Sequence, residues 1–153
     1  MDSRGVSPMI ATIVLIAIVF AVAAILALSL ASAPQPSVIF GGQLSLENVE
    51  NGRQIITITH KYGDRANDAV EKTASGWRWK NLELRVNGII QDNIIQVISS
   101  GTDVTSTTTT GYYPLTVGDK VVVRLSSALT INDKVSLKWV PKNQTLVEAT
   151  VEH

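Results

Sequence analysis

The chain has 153 residues, of which thirteen are basic and thirteen acidic, so its formal net charge is zero and it has no basic excess for nucleic acid. Cysteine is absent, which removes disulfides, zinc–thiolate sites and thiol catalysis together. The length suits one modest domain beside a membrane segment.

A short leader, Met1–Gly5, holds Asp2 and Arg4. It runs directly into Val6–Ala33, which contains no Asp, Glu, Lys, Arg or His. Such a run spans a membrane, packs against helices like itself, or is removed. Helix is the open-chain way to satisfy its backbone in lipid. Pro8 suits the first turn, and Pro34 and Pro36 stop the helix. At 1.5 Å per residue, about 25 residues span roughly 38 Å, enough to cross the hydrocarbon core. Ala17, Ala24 and Ala31 recur by sevens with Ala21 on the same stripe, where small side chains allow another helix to approach closely. Three fates are open. Ala31-Ser32-Ala33 reads as a secretory cleavage site, but the apolar run exceeds the usual signal core and Pro34 follows the cut. The helix is otherwise a permanent anchor, or cleavage after Gly5 leaves it on the mature protein.

Arg4-Gly5-Val6-Ser7-Pro8-Met9-Ile10-Ala11 and the apolar run after it resemble the N-terminus of archaeal type IV pilins. The resemblance implies cleavage by a prepilin-type membrane peptidase, with Arg4 and Gly5 recognised and Val6 the first mature residue. A Gly lets an extended backbone enter a membrane-embedded site, and Arg4 stays on the cytoplasmic side. Bacterial type IV pilins carry Glu at the fifth mature position. Here that position is Ile10, as archaeal relatives typically lack the Glu, so subunit register must come from packing.

Pro34–Ser37 is a short stiff linker, and beyond it apolar runs become short and alternate with polar residues. Strands are expected at Val38–Phe40 continuing through Gln43–Glu47, then at Gln54–His60, Leu82–Val86, Ile89–Gln91, Ile94–Ser99, Lys120–Leu125, Lys134–Val140 and Leu146–Val151. Turns are expected at Asn51-Gly52, Tyr62-Gly63-Asp64, Asn87-Gly88, Val117-Gly118-Asp119 and Asn132-Asp133, with Asn87-Gly88 a two-residue hairpin. The expected fold class is α+β: a leader at 1–5, a hydrophobic helix at 6–33, a linker at 34–37 and an all-β, immunoglobulin-like sandwich at 38–153. Ile58–Asp64 and Leu115–Asp119 resemble stretches of archaeal pilin domains, as does the closing strand pair Val135–Val151. Arg65–Lys80 and Gly101–Pro114 have no counterpart there.

An enzyme reading has little support. The two histidines, His60 and His153, do not make a metal site, and no phosphate loop or nucleophile elbow occurs. His60, Asp64 and Asp119 read as strand-end and turn residues. No cofactor or metal is expected. In Gly76-Trp77-Arg78-Trp79-Lys80, an exposed Trp77, Arg78 and Trp79 would form a contact patch, whereas strand alternation would turn tryptophan inward and Arg78 outward. Thr105–Thr110 reads as a solvated loop, and Asn143-Gln144-Thr145 is a glycosylation sequon on an expected hairpin turn.

The resemblance implies a pilin: membrane-bound as a precursor, then polymerised by helix bundling into an extracellular adhesion filament. Its partners would be copies of itself, a prepilin peptidase, a secretion ATPase and a membrane platform protein. The rivals are an archaellin-like motility subunit and a monomeric, signal-anchored binding protein.

Overall fold

A computed structural model describes residues 7–31 and 40–153. The chain forms two compact units, Met1–Ser37 and Val38–His153. The fold class is α+β, with a long apolar helix followed by a β-sandwich, as the change in residue pattern indicates.

Helix α1 runs from Ser7 to Ala31, 25 residues of which none is buried. Pro8 sits in its first turn, where a missing N–H costs nothing. The Thr12 hydroxyl donates to the Pro8 carbonyl at 2.8 Å, so one of the helix's few polar side chains is satisfied within it.

Among its described residues the second unit has twelve strands: β1 (Gln43–Glu47), β2 (Ile55–Tyr62), β3 (Ala66–Thr73), β4 (Gly76–Trp79), β5 (Leu82–Val86), β6 (Ile89–Ile90), β7 (Ile94–Ser99), β8 (Thr102–Asp103), β9 (Gly111–Leu115), β10 (Lys120–Arg124), β11 (Lys134–Trp139) and β12 (Gln144–Thr150). They form three sheets, ordered β1-β2-β10-β7-β8, β12-β11-β5-β6 and β4-β3-β9, and every pairing is antiparallel. Period-two alternation supplies one core. Ile56 and Ile58 of β2 and Val121 and Val123 of β10 point inward from the first sheet, and Leu82, Leu84, Val135 and Leu137 from the second. Each of these side chains contributes about 1.5–3 kcal/mol on full burial, which lets a cysteine-free domain hold together by packing.

Asn87 and Gly88, at φ 51° and 83°, turn β5 into β6 as a two-residue hairpin, with Val86 opposite Ile89. Two segments in which the sequence pattern predicts no strand pair with one another. Arg65–Lys80 contains β3 and β4, Gly101–Pro114 contains most of β9, and together they make the third sheet. Their pattern hides this. The β3–β9 register shifts between Ala66 and Val70, where Asp68 takes φ 49°. Pro114 sits opposite that bulge on an edge strand, a place where proline is tolerated.

Candidate assembly and contact surfaces

The helix is the first candidate surface. Side chains all round it are apolar and exposed, including Met9, Ile13, Leu15, Phe20, Ile25 and Leu28. A helix on the surface of a soluble domain has one apolar stripe and a polar opposite face. This one is long and apolar enough to cross a bilayer and is a candidate membrane anchor or signal. Ala17, Ala21, Ala24 and Ala31 lie on it within an arc of roughly 80° at 3.6 residues per turn. Arg4, Gly5 and Val6, the expected processing residues, lie outside the described residues, as does the linker 34–37.

Phe40, the first described residue of the domain, is held by three separated segments. The Gln144 side-chain amide accepts from the Phe40 N–H at 3.1 Å and donates to the Phe40 carbonyl at 3.4 Å. The Phe40 ring stacks on Trp139 with centroids 5.0 Å apart and meets the His60 ring edge-on at 6.1 Å. The Gly41 N–H donates to the Asp64 carboxylate at 3.2 Å. His60 is fully buried, its Nε2 lies 2.6 Å from the Asp64 carbonyl, and its Nδ1 has no hydrogen-bond partner among the described residues. His60 thus ties β2 to the following turn, and the strand runs two residues past it to Tyr62 instead of ending at His60 as expected. Sequence alone did not reveal Gln144 and Phe40 as a pair, since 104 positions separate them.

Gly63 allows this clasp to close. At φ 94°, its backbone lies so near the Phe40–Gly42 segment that a Cβ would sit 2.5 Å from the Gly41 carbonyl oxygen and 2.7 Å from Gly42 Cα. Gly88 has a similar φ of 83° and open space around it. Gly63→Ala should therefore cost about 2 kcal/mol or more, combining backbone strain with displacement of the clasp, while Gly88→Ala should cost about 1 kcal/mol from strain alone. Thermal unfolding of both variants tests this, and equal losses would show that the clasp is not tightly closed.

Asp119 forms a second tie. It is buried, and its carboxylate accepts from the Thr116 N–H at 2.7 Å, the Thr116 hydroxyl at 2.8 Å, the Ser100 N–H at 2.7 Å and the Gly101 N–H at 2.8 Å. Burial pushes its pKa up, but the hydrogen bonds from Thr116, Gly101 and Ser100 outweigh that and hold it below the ordinary value. Its oxygens join the β7–β8 turn to the turn before β10.

In the third sheet, alternation turns Trp77 and Trp79 toward the core cluster and Arg78 outward. The Trp77 indole N–H donates to the Thr105 carbonyl at 3.0 Å and that of Trp79 to the Gln91 carbonyl at 2.7 Å. Arg78 pairs with Glu71 at 2.6 Å, and that hydrogen bond lowers the Glu71 pKa. The outward row across the sheet is therefore Arg78, Glu71 and exposed Tyr112, with the Lys80 ammonium 5.2 Å from the Tyr112 ring centroid. Thr105 is half-buried, and its hydroxyl accepts from the Val97 N–H at 2.9 Å, so the threonine-rich loop is anchored at its start. Asn143 is exposed at φ 50°, where a short 3-10 turn (Val140–Lys142) meets β12. Thr145 of the same sequon is exposed too. Among the described residues, no group of three or more His, Cys, Asp or Glu comes together to hold a metal ion. No family model matches the chain and no curated protein matches its sequence, so a functional reading has to stand on the helix, the domain and the N-terminal junction themselves.

Proposed function

We propose that this chain is a structural filament subunit of the archaeal type IV pilin kind. The observation that carries the reading is α1: twenty-five uncharged, predominantly apolar residues with no polar face and no buried residue. Such a helix is covered by lipid in the precursor and by copies of itself after assembly, which accounts for apolar character on every side. The alanine stripe supports close approach between helices. The β-sandwich, which carries many of its own tertiary contacts, would form the outer layer and make the adhesive contacts. The Arg4-Gly5-Val6 junction supports processing by a prepilin peptidase, with export by a secretion ATPase and platform protein.

Gly5→Val tests the reading. The bulky, β-branched side chain should block the peptidase, so full-length precursor should accumulate in membranes and surface filaments should disappear. Immunoblotting of membrane and sheared fractions, with N-terminal sequencing of wild type, provides the measurement. A mature wild-type N-terminus at Val6 supports the reading. Normal processing of the variant, or a mature terminus at Pro34, would remove it in favour of a secreted or anchored monomer.

A further inference from the structure

The pole of the first sheet remote from Phe40 carries an open cleft of about 720 Å³, lined by Asn48, Gly52, Arg53, Gln54, Ile55 and Arg124. Strand register fixes its position. Arg124 ends β10 opposite Ile55, the first residue of β2, whereas His60 and the Phe40 clasp lie toward the other end of that eight-residue strand. Eight extended residues span about 25 Å.

The lining is rich in donors. Among the described residues the ion pairs are Arg53–Glu50, Lys61–Glu47, Arg78–Glu71 and Arg85–Glu83, so the exposed Arg124 guanidinium has no carboxylate partner. Arg53 and Glu50 meet at 3.4 Å with both side chains largely in solvent, a pair weak enough to exchange for another anion. Asn48 and Gln54 add side-chain amides, although Gln54 donates one N–H to the Leu125 carbonyl at 3.4 Å. No lining residue is acidic. The nearest carboxylate is that of Glu50, at the rim on Arg53, and Asp92 lines an adjoining cleft of about 320 Å³ that shares Arg124. Ile55 is 38% exposed and gives the cleft an apolar wall.

We propose that this cleft binds a carboxylate-bearing sugar unit of an acidic polysaccharide. A guanidinium fork matches a carboxylate in two parallel hydrogen bonds, side-chain amides suit sugar hydroxyls, and Ile55 suits a C–H face. The volume exceeds the needs of a bare phosphate. The lining has no aromatic anchor, on which protein contacts concentrate. The proposal deepens the adhesive-filament reading and rests on it for its biological meaning, though not for the binding itself.

The test is calorimetric titration of the full chain, in detergent and as sheared filaments, with tetragalacturonate, the neutral tetragalactose and inorganic phosphate. Arg124→Gln is compared with Arg65→Gln, an exposed arginine at the other end of β2. Binding of tetragalacturonate, with tetragalactose and Arg124→Gln each weaker by about tenfold or more and Arg65→Gln unchanged, is the expected result. Equal loss in both arginine variants would reduce the effect to general charge attraction and overturn the site. So would displacement of tetragalacturonate by equimolar phosphate, which would mark a bare oxyanion site, or no binding by wild type at millimolar ligand. Arg124-dependent binding in detergent by a chain that never enters filaments would keep the site and sink the filament reading. Filaments that ignore the ligand would do the reverse.

Discussion

Ala21→Lys should abolish filament assembly while leaving much of the protein in the membrane. Ala21 lies in the interior of α1 and on the small-residue stripe. Lysine at a helix centre adds about 2.5–3.5 kcal/mol to insertion on translocon scales, a cost that a 25-residue apolar run can absorb. Among packed helices that carry no charge, the ammonium would have no partner, and an unpaired buried charge costs several kcal/mol more. Ala21→Leu separates the two requirements. It keeps the segment apolar, so insertion is retained, but its bulk prevents close approach and should lower filament yield. The measurement is the fraction of subunit in sheared filaments against that left in membranes. Wild-type assembly by both variants would mean that the helix is not packed in a filament core, leaving the anchored monomer as the better account.

Asp119→Ala should be the most damaging single change in the domain apart from large core truncations. It removes the charged acceptor of the part-buried hydrogen bonds from the Ser100, Gly101 and Thr116 N–H groups, at about 1–3 kcal/mol each and least where water reaches the exposed Ser100 and Gly101. A total loss of about 3–5 kcal/mol is a large part of the roughly 5–15 kcal/mol that holds a domain. Asp119→Asn should cost less. Its amide oxygen can replace Oδ2, which takes three of the four hydrogen bonds, leaving the NH₂ to face the Gly101 N–H. The pH dependence has a definite sign. Because the folded-state pKa is lowered, the carboxylate's contribution is fully present above its unfolded value of about 3.9 and is lost as pH falls through the folded value. Wild type should therefore exceed Asp119→Asn most clearly near neutrality, and the gap should narrow below about pH 4. Denaturant midpoints at pH 7 and pH 3 test this. A gap that widens in acid would mean that the carboxylate does not act as an ionised acceptor.

The turns were readable because their chemistry is local. Asn87-Gly88 demands positive φ at two successive residues, and Asn-Gly supplies it without help from elsewhere. Leu82–Val86, which alternates apolar and polar, and Ile94–Ser99, an apolar run bounded by turn residues, were legible to their end residues. The third sheet was not, because a bulge at Asp68 and a proline at position 114 interrupt the period on which such reading depends. For Trp77 and Trp79, residue type suggested an exposed contact patch and strand alternation an inward tryptophan, and the tertiary neighbours chose the second: the Thr105 and Gln91 carbonyls satisfy indole N–H groups that would otherwise have kept those edges in water.

The sequence by itself determined the helix, since in Val6–Ala33 every residue lacks charge and no partner is needed to make that run helical in lipid. It also determined the change from helix to alternating strands, because hydrophobic period is a property of neighbouring residues. Only the tertiary structure decided which distant groups meet. Gln144 closes on Phe40, Asp119 collects the N–H groups of another turn, and Arg124 comes to share a cleft with Arg53. Each of these depends on strand register across the sheets, and register is set by the packing of the whole core rather than by any short stretch of chain.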